Sequence, residues 1–324
     1  MAILAAALAA LVLVVAWWRL FRDFASQPPI LSAPVALENL ATASGTRTYK
    51  VFVPTAFCSS NALLLVLHGS AGSADQMRRY TGQEFERLAD EHGFIVAYPE
   101  GYRGYWNDAR RKGGYAAKRH DIDDVAFLRA LIEHLRARHG VGDVFAVGYS
   151  NGGYMCIRMA LEAGDAVRAI AMFGANMPTD DNCVAPALVR QMPAMLVNGT
   201  RDPITPYDGG HVSIFGFGDR GTVRSALASA QYFAARLAGD VAVEGSSVVE
   251  PVADRTGTHV DLTSWGSASG DRVLLYTVHG GGHVVPQPRY RFARFVGETE
   301  MRFNAPAAVC DFFAIERPER ARPT

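Results

Sequence analysis

Residues 144–153 read VFAVGYSNGG and contain the pentapeptide Gly148-Tyr149-Ser150-Asn151-Gly152. The pattern is G-x-S-x-G, with a strand-like apolar run (144–147) before it and a helical pattern (151–163) after it. This context is typical of a nucleophile elbow, in which a tight turn between a strand and a helix exposes a serine. The N–H groups at the start of that helix favour developing negative charge. We therefore predict that Ser150 is a nucleophile; the alternative is a glycine-rich turn without chemistry.

Strand-like and helical patterns alternate through the chain from about residue 36 onward. The alternation predicts an α/β fold built from βαβ units, with a mostly parallel central sheet flanked by helices. No linker divides this body, so we predict one catalytic domain over residues 29–324. Only about twenty residues separate the predicted strands at 167–173 and 194–197, which indicates a small lid or none. The predicted strands are 48–54, 62–67, 94–98, 144–147, 167–173, 194–197 and 272–278, and the main predicted helices are 121–138, 151–163 and 222–237.

Charge and cysteine spacing exclude several classes of protein. The chain has 32 basic and 32 acidic residues, so its formal net charge is zero. Nucleic-acid affinity comes largely from neutralising phosphates, and no basic cluster is present here, so no nucleic-acid partner is predicted. The four cysteines form no C-x-x-C pair, which excludes a zinc ribbon or a thioredoxin-like motif.

Residues 1–28 form a separate hydrophobic segment. The run from Ala2 to Trp18 carries no charge and is close to the shortest length that spans a membrane. It predicts either an uncleaved anchor that contacts the membrane through residues 2–18 or a cleaved signal segment. Arg19 and Arg22 would favour a cytoplasmic location for the residues that follow, but Asp23 leaves a bias of about one charge.

A serine nucleophile of this kind needs a histidine base and an acidic residue that orients the histidine. In proteins with a nucleophile elbow these residues follow in the chain order serine, acid, histidine, so the acid should follow a later strand. The strand at 194–197 leads into Asn198-Gly199-Thr200-Arg201-Asp202, so we predict that Asp202 is the acid. Two alternatives are a turn-capping role for Asp202 and Asp208 as the acid. Asp123 and Asp124 open a helix and are predicted to cap it.

The base should follow the last strand. That strand leads into His279-Gly280-Gly281-Gly282-His283, and we predict His283 as the base because three glycines let it reach the serine. His279 is the alternative. An H-x-x-x-H metal pair needs a helix, which three consecutive glycines disfavour. We therefore predict no metal site, and the chemistry requires no cofactor.

Two backbone N–H groups are predicted to stabilise an oxyanion. His68-Gly69-Ser70 ends the strand at 62–67, and the N–H of Ser70 is one predicted donor. The N–H of Asn151, the residue after the nucleophile, is the other. We expect His68 to brace this loop without taking part in the reaction.

Seven stretches carry a resemblance to a known family: LHGSAGS at 67–73, YPEG at 98–101, Trp106-Asn107, DIDDVAFL at 121–128, GYSNGG at 148–153, NGTRDPITPYDGG at 198–210 and HGGGH at 279–283. Spanning residues 60–290, they resemble the polyhydroxybutyrate depolymerase and feruloyl esterase group of α/β-hydrolase esterases. The resemblance implies the α/β-hydrolase fold, with Ser150, Asp202 and His283 as the triad. It also implies export to the periplasm or the medium. Two departures are Val285 before Pro286, where the group usually has tryptophan, and Ala109-Arg110-Arg111, where many members have paired cysteines.

These residues predict hydrolysis of a carboxylic ester through an acyl-enzyme. The resemblance implies a polymeric or aromatic substrate, such as a polyhydroxyalkanoate or a feruloyl ester. Trp106, Tyr149 and Val285 are candidates to line the cleft, and packing is the alternative role for the two aromatic residues. A peptidase or thioesterase on the same fold is one alternative function. A non-catalytic binding protein is another.

The cysteines give a limited prediction. Cys156 follows the nucleophile on its helix and is expected to be a buried thiol. If the domain is exported, one disulfide is expected among Cys58, Cys183 and Cys310. The sequence does not select the pair.

Overall fold

The computed structural model describes residues 20–42, 45–57, 62–185, 188, 190–237, 241–251, 257–267 and 270–315. The strands are β1 (Phe24–Ala25), β2 (Ala36–Thr42), β3 (Gly45–Phe52), β4 (Leu63–Leu67), β5 (Ile95–Pro99), β6 (Val144–Tyr149), β7 (Ala169–Phe173), β8 (Ala194–Gly199), β9 (Gly210–His211), β10 (Thr222–Val223), β11 (Val241–Glu250), β12 (His259–Ser267), β13 (Arg272–His279) and β14 (Tyr290–Arg291). The helices are α1 (Ala74–Tyr80), α2 (Glu84–His92), α3 (Ala116–Arg119), α4 (Asp124–His139), α5 (Asn151–Glu162), α6 (Ala226–Ala234) and α7 (Ala305–Phe312). A short 3-10 helix covers Arg294–Val296.

Ten strands form the central sheet, in the order β11-β12-β13-β8-β7-β6-β4-β5-β3-β2. The six strands from β13 to β5 are parallel to their neighbours, and an antiparallel pair extends each edge. The prediction of a mostly parallel central sheet is confirmed.

Helices cover both faces of this sheet. In β4, Leu63, Leu65 and Leu67 pack into a core shared with α4, α5 and α6, while Leu64 and Val66 pack into a second core shared with α1, α2 and α7. Successive side chains of a strand point to opposite faces, so a strand covered on both sides must be apolar throughout. This burial explains the continuous apolar run from residue 62 to residue 67.

The predicted helix at 222–237 is too long. Thr222 and Val223 pair with β9 as a short hairpin, and α6 begins only after Ser225, whose hydroxyl accepts from the N–H of Ala228 at 3.1 Å. The sequence analysis did not predict β11 and β12, because the described side chains of β11 are mostly exposed and those of β12 are mostly half-buried, so their apolar pattern is weak. The wrong prediction of helix at residues 222–225 matters for the site, because the hairpin of residues 210–223 forms part of the wall of the cavity at Ser150.

The two aspartates at the start of α4 have different structural roles. Asp123 accepts from the N–H of Ala126 at 2.8 Å, which confirms its predicted capping role. Asp124 does not cap the helix: it is buried, forms an ion pair with Arg47 at 2.8 Å and accepts from the N–H of Asn107 at 2.7 Å. Its side chain points into the body and ties α4 to β3 and to the loop before α3.

The described part of the N-terminal segment contacts the catalytic body. Strand β1 pairs with β14, and the hydroxyl of Tyr290 donates to Asp23 at 2.7 Å. The apolar run at residues 2–18 lies outside the described residues. Among the residues that are described, no helix is long and apolar enough to cross a membrane.

Three of the four cysteines are described, and all three are buried free thiols. Cys156 is buried on α5, as predicted. Cys183 and Cys310 belong to the cores on opposite faces of the sheet, so they do not form the predicted disulfide with each other. Cys58 lies outside the described residues.

Candidate active site

Ser150 occupies the tight turn between β6 and α5. Its backbone adopts φ 54° and ψ −117°, which is an uncommon conformation for a residue with a side chain. The N–H of Ser150 donates to the carbonyl of Phe173 at 2.8 Å, and the carbonyl of Ser150 accepts from Tyr154 at 2.9 Å. The strained turn is therefore held from both sides and presents the hydroxyl at the helix start.

The glycines of the G-x-S-x-G pattern are required by close backbone approaches. A Cβ at Gly148 would lie 2.2 Å from the carbonyl carbon and oxygen of Gly152. A Cβ at Gly152 would lie 2.2 Å from the carbonyl oxygen of Leu67 in the neighbouring strand. These distances are far below van der Waals contact, so neither position accepts a side chain without moving the backbone.

Asp202 and His283 form a buried pair. Nδ1 of His283 lies 2.6 Å from Oδ2 of Asp202, and both side chains are almost fully buried. The other carboxylate oxygen of Asp202 accepts from the N–H groups of Ile204 and Thr205, each at 2.8 Å. With Nδ1 facing the carboxylate, Nε2 is the nitrogen left for a serine proton.

The alternative acid and base lie elsewhere. Asp208 is exposed, whereas the carboxylates that pair with His279 and His283 belong to Asp261 and Asp202. His279 bonds to Asp261 at 2.9 Å, and its ring stacks on that of His259 with centroids 4.1 Å apart. Ligand atoms of His259, Asp261 and His279 lie within 4.8 Å of one another, so in the described part of the chain this is the set that could hold a metal ion. None of the three lines the cavity that contains Ser150.

The two predicted oxyanion donors lie on segments that Trp106 holds together. The backbone N–H of Trp106 donates to the side chain of Asn151 at 2.8 Å, and its indole N–H donates to the carbonyl of His68 at 2.9 Å. Asn151 is the first residue of α5, so its own N–H has no partner within the helix. Ser70, two residues after His68, lines the same cavity as Ser150.

His68 braces the loop that carries Ser70. Its Nδ1 lies 2.7 Å from the carbonyl oxygen of Gly69, and its Nε2 accepts from the N–H of Gly101 at 2.9 Å. This arrangement fits the neutral ring with the proton on Nδ1. Burial, opposed in part by the bond to Gly69, lowers the pKa of His68 to about 4. Glu100 is 3.8 Å from Nε2, but the lone pair there already accepts from Gly101, so we do not regard the contact as an ion pair.

Ser150 and His283 open onto one cavity of about 130 Å³, which Tyr149 also lines. The Tyr149 hydroxyl donates to the carbonyl of His283 at 2.8 Å, and the two rings are 5.1 Å apart. The prediction that Trp106 and Val285 line the cleft is wrong, since both are fully buried away from it. The Trp106 ring lies against the His68 ring in a tilted arrangement, with centroids 5.0 Å apart, and the chain after His283 turns inward so that Val285 packs in the core.

Several wall residues were missed by the sequence analysis. Gln76 and Tyr80 lie one helical turn apart on α1 and are joined by a 2.9 Å hydrogen bond. Ile204 follows the predicted acid, and Ile214 and Arg220 come from the hairpin of residues 210–223. Helical spacing on α1 is a signal for the first pair. No sequence signal points to the hairpin, because its position over the serine depends on tertiary contacts.

Comparison with known proteins agrees with this fold. A family model described as alpha/beta hydrolase fold matches residues 62–202. NocK of Nocardia uniformis subsp. tsuyamanensis, a protein that carries the name of an esterase, is 29% identical over 297 residues, which are 88% of this chain and 84% of NocK. The bifunctional acetylxylan esterase/xylanase XynS20E of Neocallimastix patriciarum is 25% identical over 171 residues, or 50% of this chain and 22% of that protein.

A solved structure supplies a comparison of the fold itself. The acetyl xylan esterase from Aspergillus awamori has a TM-score of 0.56 at 13% identity, covering 86% of this chain and 99% of that chain. At this identity the likeness concerns the fold alone. The parallel sheet with helices on both faces, the strained serine turn between β6 and α5, and these matches lead to one conclusion: the chain has the α/β-hydrolase fold.

Proposed function

We propose that the protein is a serine carboxylic-ester hydrolase that works through an acyl-enzyme. The observation that carries the proposal is the 2.6 Å pair of Asp202 and His283, in which the histidine lines the same cavity as the strained Ser150. The names of NocK and XynS20E as esterases support this activity over others that the same fold can host.

Each residue would have a defined role in the reaction. Nε2 of His283 takes the Ser150 proton as the hydroxyl oxygen attacks the ester carbonyl, and Asp202 holds the ring and stabilises the imidazolium. The N–H groups of Ser70 and Asn151 bind the oxyanion of the tetrahedral intermediate. The alcohol leaves with the proton from His283. Water then attacks the acyl-enzyme with His283 as base, and Ser150 is regenerated.

For the substrate we favour a short acyl ester of a saccharide, as in acetylated xylan. The relative XynS20E is named an acetylxylan esterase, which supports this class. The cavity of about 130 Å³ is comparable with cavities that hold one benzene ring, so it suits a short acyl group or a single aromatic ring. Feruloyl esters and hydroxybutyrate polymers are the alternatives that the sequence resemblance supplies.

A fluorophosphonate probe and a substrate panel test the proposal. The probe should label the protein on Ser150, located by peptide mass spectrometry. Rates should then be compared for p-nitrophenyl acetate, acetylated xylan, methyl ferulate, hydroxybutyrate oligomers, an acyl thioester and a peptide anilide. We expect hydrolysis of oxygen esters, with acetyl esters fastest.

Two results would contradict the proposal. A protein that is neither labelled nor active on any member of the panel is not a serine hydrolase. Faster turnover of the anilide or the thioester than of every oxygen ester would replace the esterase assignment with one of the alternatives.

A further inference from the structure

Arg220 lines the cavity and, unlike the three basic residues named next, forms no ion pair within the described part of the chain. Arg110 pairs with Asp108, Lys112 with Asp219, and Arg224 with Asp180. In the described part of the chain no ion pair joins Arg220 to a carboxylate, and its guanidinium donates to the hydroxyl of Ser70 at 2.7 Å. A neutral hydroxyl does not balance the positive charge.

The neighbouring acid does not fill this role. Asp219 precedes Arg220, but one carboxylate oxygen accepts from the N–H of Gly221 at 2.8 Å and lies 3.2 Å from His211. The other oxygen is 3.1 Å from Lys112. The acid adjacent in sequence is thus engaged by other groups.

The backbone holds Arg220 in place over the cavity. Its N–H donates to the carbonyl of Val212 across the hairpin at 3.2 Å. Its own carbonyl accepts from the side chain of Asn182 at 3.1 Å, and Asn182 is buried. The guanidinium is therefore presented by a fixed segment.

The surroundings make the unbalanced charge costly. Arg220 is half-buried and lines the same cavity as Ser150, Ser70 and His283. Burial and the nearby positive charge of Arg110 lower the pKa of Arg220, although the group stays protonated at any working pH. A cation removed from water without a counter-ion is stabilised by an anion that enters the site.

We propose that Arg220 is a specificity-determining residue that binds a carboxylate of the substrate, so that the preferred esters carry a carboxylate near the scissile bond. This inference rests on the esterase function proposed above. The guanidinium donates in a planar fork that matches a carboxylate with two hydrogen bonds. One nitrogen already bonds to Ser70, next to a proposed oxyanion donor, so the bound carboxylate lies on the Ser70 side of the cavity. The carboxylate can belong to the acyl group or to the alcohol.

Two matched pairs of esters show whether the bound carboxylate belongs to the acyl group or to the alcohol. On the acyl side, p-nitrophenyl hydrogen adipate is compared with p-nitrophenyl hexanoate, which has the same chain length without the charge. On the alcohol side, 4-acetoxybenzoate is compared with its neutral methyl ester. For one of the pairs we expect kcat/KM to be about ten- to a hundredfold higher for the anionic ester, as expected for hydrogen bonds to a charged group.

Variants assign the preference to Arg220. In Arg220→Gln the ratio of the two kcat/KM values should fall to near one, and Arg220→Lys should retain part of it because the charge remains. Arg129→Gln is the charge-matched control. Arg129 pairs with Asp165 on the surface and does not line the cavity, so the ratio should stay at the wild-type value.

The outcomes separate this inference from the esterase proposal. If Arg220→Gln lowers both rates equally, Arg220 only positions Ser70 and the inference fails. If the wild type cleaves neutral esters through Ser150 with no anionic preference in either pair, the inference also fails while the esterase proposal stands. If the wild type cleaves no ester at all, the esterase proposal itself is wrong.

A measurement on the wild type covers the case in which the variants do not fold. Free adipate should inhibit hydrolysis of the neutral hexanoate ester competitively, and adipamide should not. Added salt should weaken the inhibition by adipate, because screening acts on the charge pair. Equal inhibition by adipate and adipamide overturns the proposal.

Discussion

At the scale of single residues, the proposed triad is supported in three different ways. Ser150 depends on a strained backbone, which hydrogen bonds to Phe173 and Tyr154 hold in place. His283 depends on the carboxylate of Asp202, and Asp202 depends on two N–H groups of the turn that follows it. Removal of the serine hydroxyl should therefore disturb the structure least.

We expect Ser150→Ala to lose esterase activity by several orders of magnitude while remaining folded. The residual rate would come from the oxyanion donors and substrate binding. Steady-state kinetics on p-nitrophenyl acetate and far-UV circular dichroism check both parts. Near wild-type activity in a folded variant would show that Ser150 is not the nucleophile.

The two histidines should differ strongly in their effect. His283→Ala removes the proposed base and should cost about as much activity as Ser150→Ala. His279→Ala removes a partner of Asp261 outside the cavity and should change kcat/KM by less than about tenfold. Measurement of both variants under the same conditions decides the assignment, and a reversed order would make His279 the base.

His68 should make the folded protein less stable in mild acid. Burial lowers its pKa from 6.5 to about 4, so between these values the unfolded chain binds a proton that the folded chain does not. The contribution of neutral His68 to the free energy of unfolding is fully present above about pH 6.5 and is lost as the pH falls to about 4. The total loss is on the order of 3 kcal/mol. Urea unfolding at pH 7 and pH 4.5 measures the loss.

A His68→Gln variant serves as the comparison for this pH effect. Glutamine keeps a donor and an acceptor but does not titrate, so its free energy of unfolding should depend less on pH over this range. A nuclear magnetic resonance titration that gives His68 a pKa near 6.5 in the folded protein would contradict the explanation.

At the scale of elements, the site is assembled from the carboxyl ends of parallel strands. Ser150 follows β6, Asp202 follows β8, and His283 follows β13, while Ser70 follows β4. Because these strands are parallel, the loops after them lie at one edge of the sheet. The hairpin of residues 210–223 contributes Ile214 and Arg220 to the cavity at this edge.

The junction of β6 and α5 should tolerate no added side chain. We expect Gly148→Ala to reduce the yield of folded protein or to lower stability by more than about 2 kcal/mol, because its Cβ would lie 2.2 Å from the backbone of Gly152. Gly114→Ala is the control, since nothing lies within 4 Å of that position and its φ is ordinary. Thermal melts of both variants test the difference, and equal melting temperatures would show that the elbow can relax.

At the scale of the whole molecule, we propose that the catalytic domain lies outside the cytoplasm, tethered by residues 2–18 or released from them. The apolar run and the resemblance to exported esterases support this location, and the opposing charge bias of Arg19 and Arg22 is small. Alkaline phosphatase fused after residue 30 should be active. Fluorescence of a reporter that folds only in the cytoplasm would contradict export.

The N-terminal sequence of the mature protein distinguishes a membrane tether from a cleaved signal segment. Intact N-terminal sequence in the membrane fraction shows an anchor. A start near residue 25–30 in the soluble fraction shows a cleaved signal segment.

The sequence by itself determined the α/β fold, the strand and helix at the Ser150 turn, and candidates for the acid and base. These features are local, since continuous apolar strands, glycines at fixed spacing and residues at strand ends all leave a pattern along the chain. The sequence alone left Asp208 and His279 open, and the pair of Asp202 with His283 was decided by the side-by-side positions of β8 and β13.

Only the tertiary structure decided which side chains form the wall of the cavity. Trp106 is as apolar as any lining residue, yet it is buried behind the loop of His68 because its indole N–H bonds to a carbonyl there. Arg220 lies 150 positions from Ser70 in the chain, and the hairpin brings the two within hydrogen-bond distance. Contacts at such separations depend on how the elements pack, and packing leaves no periodic signal in the sequence.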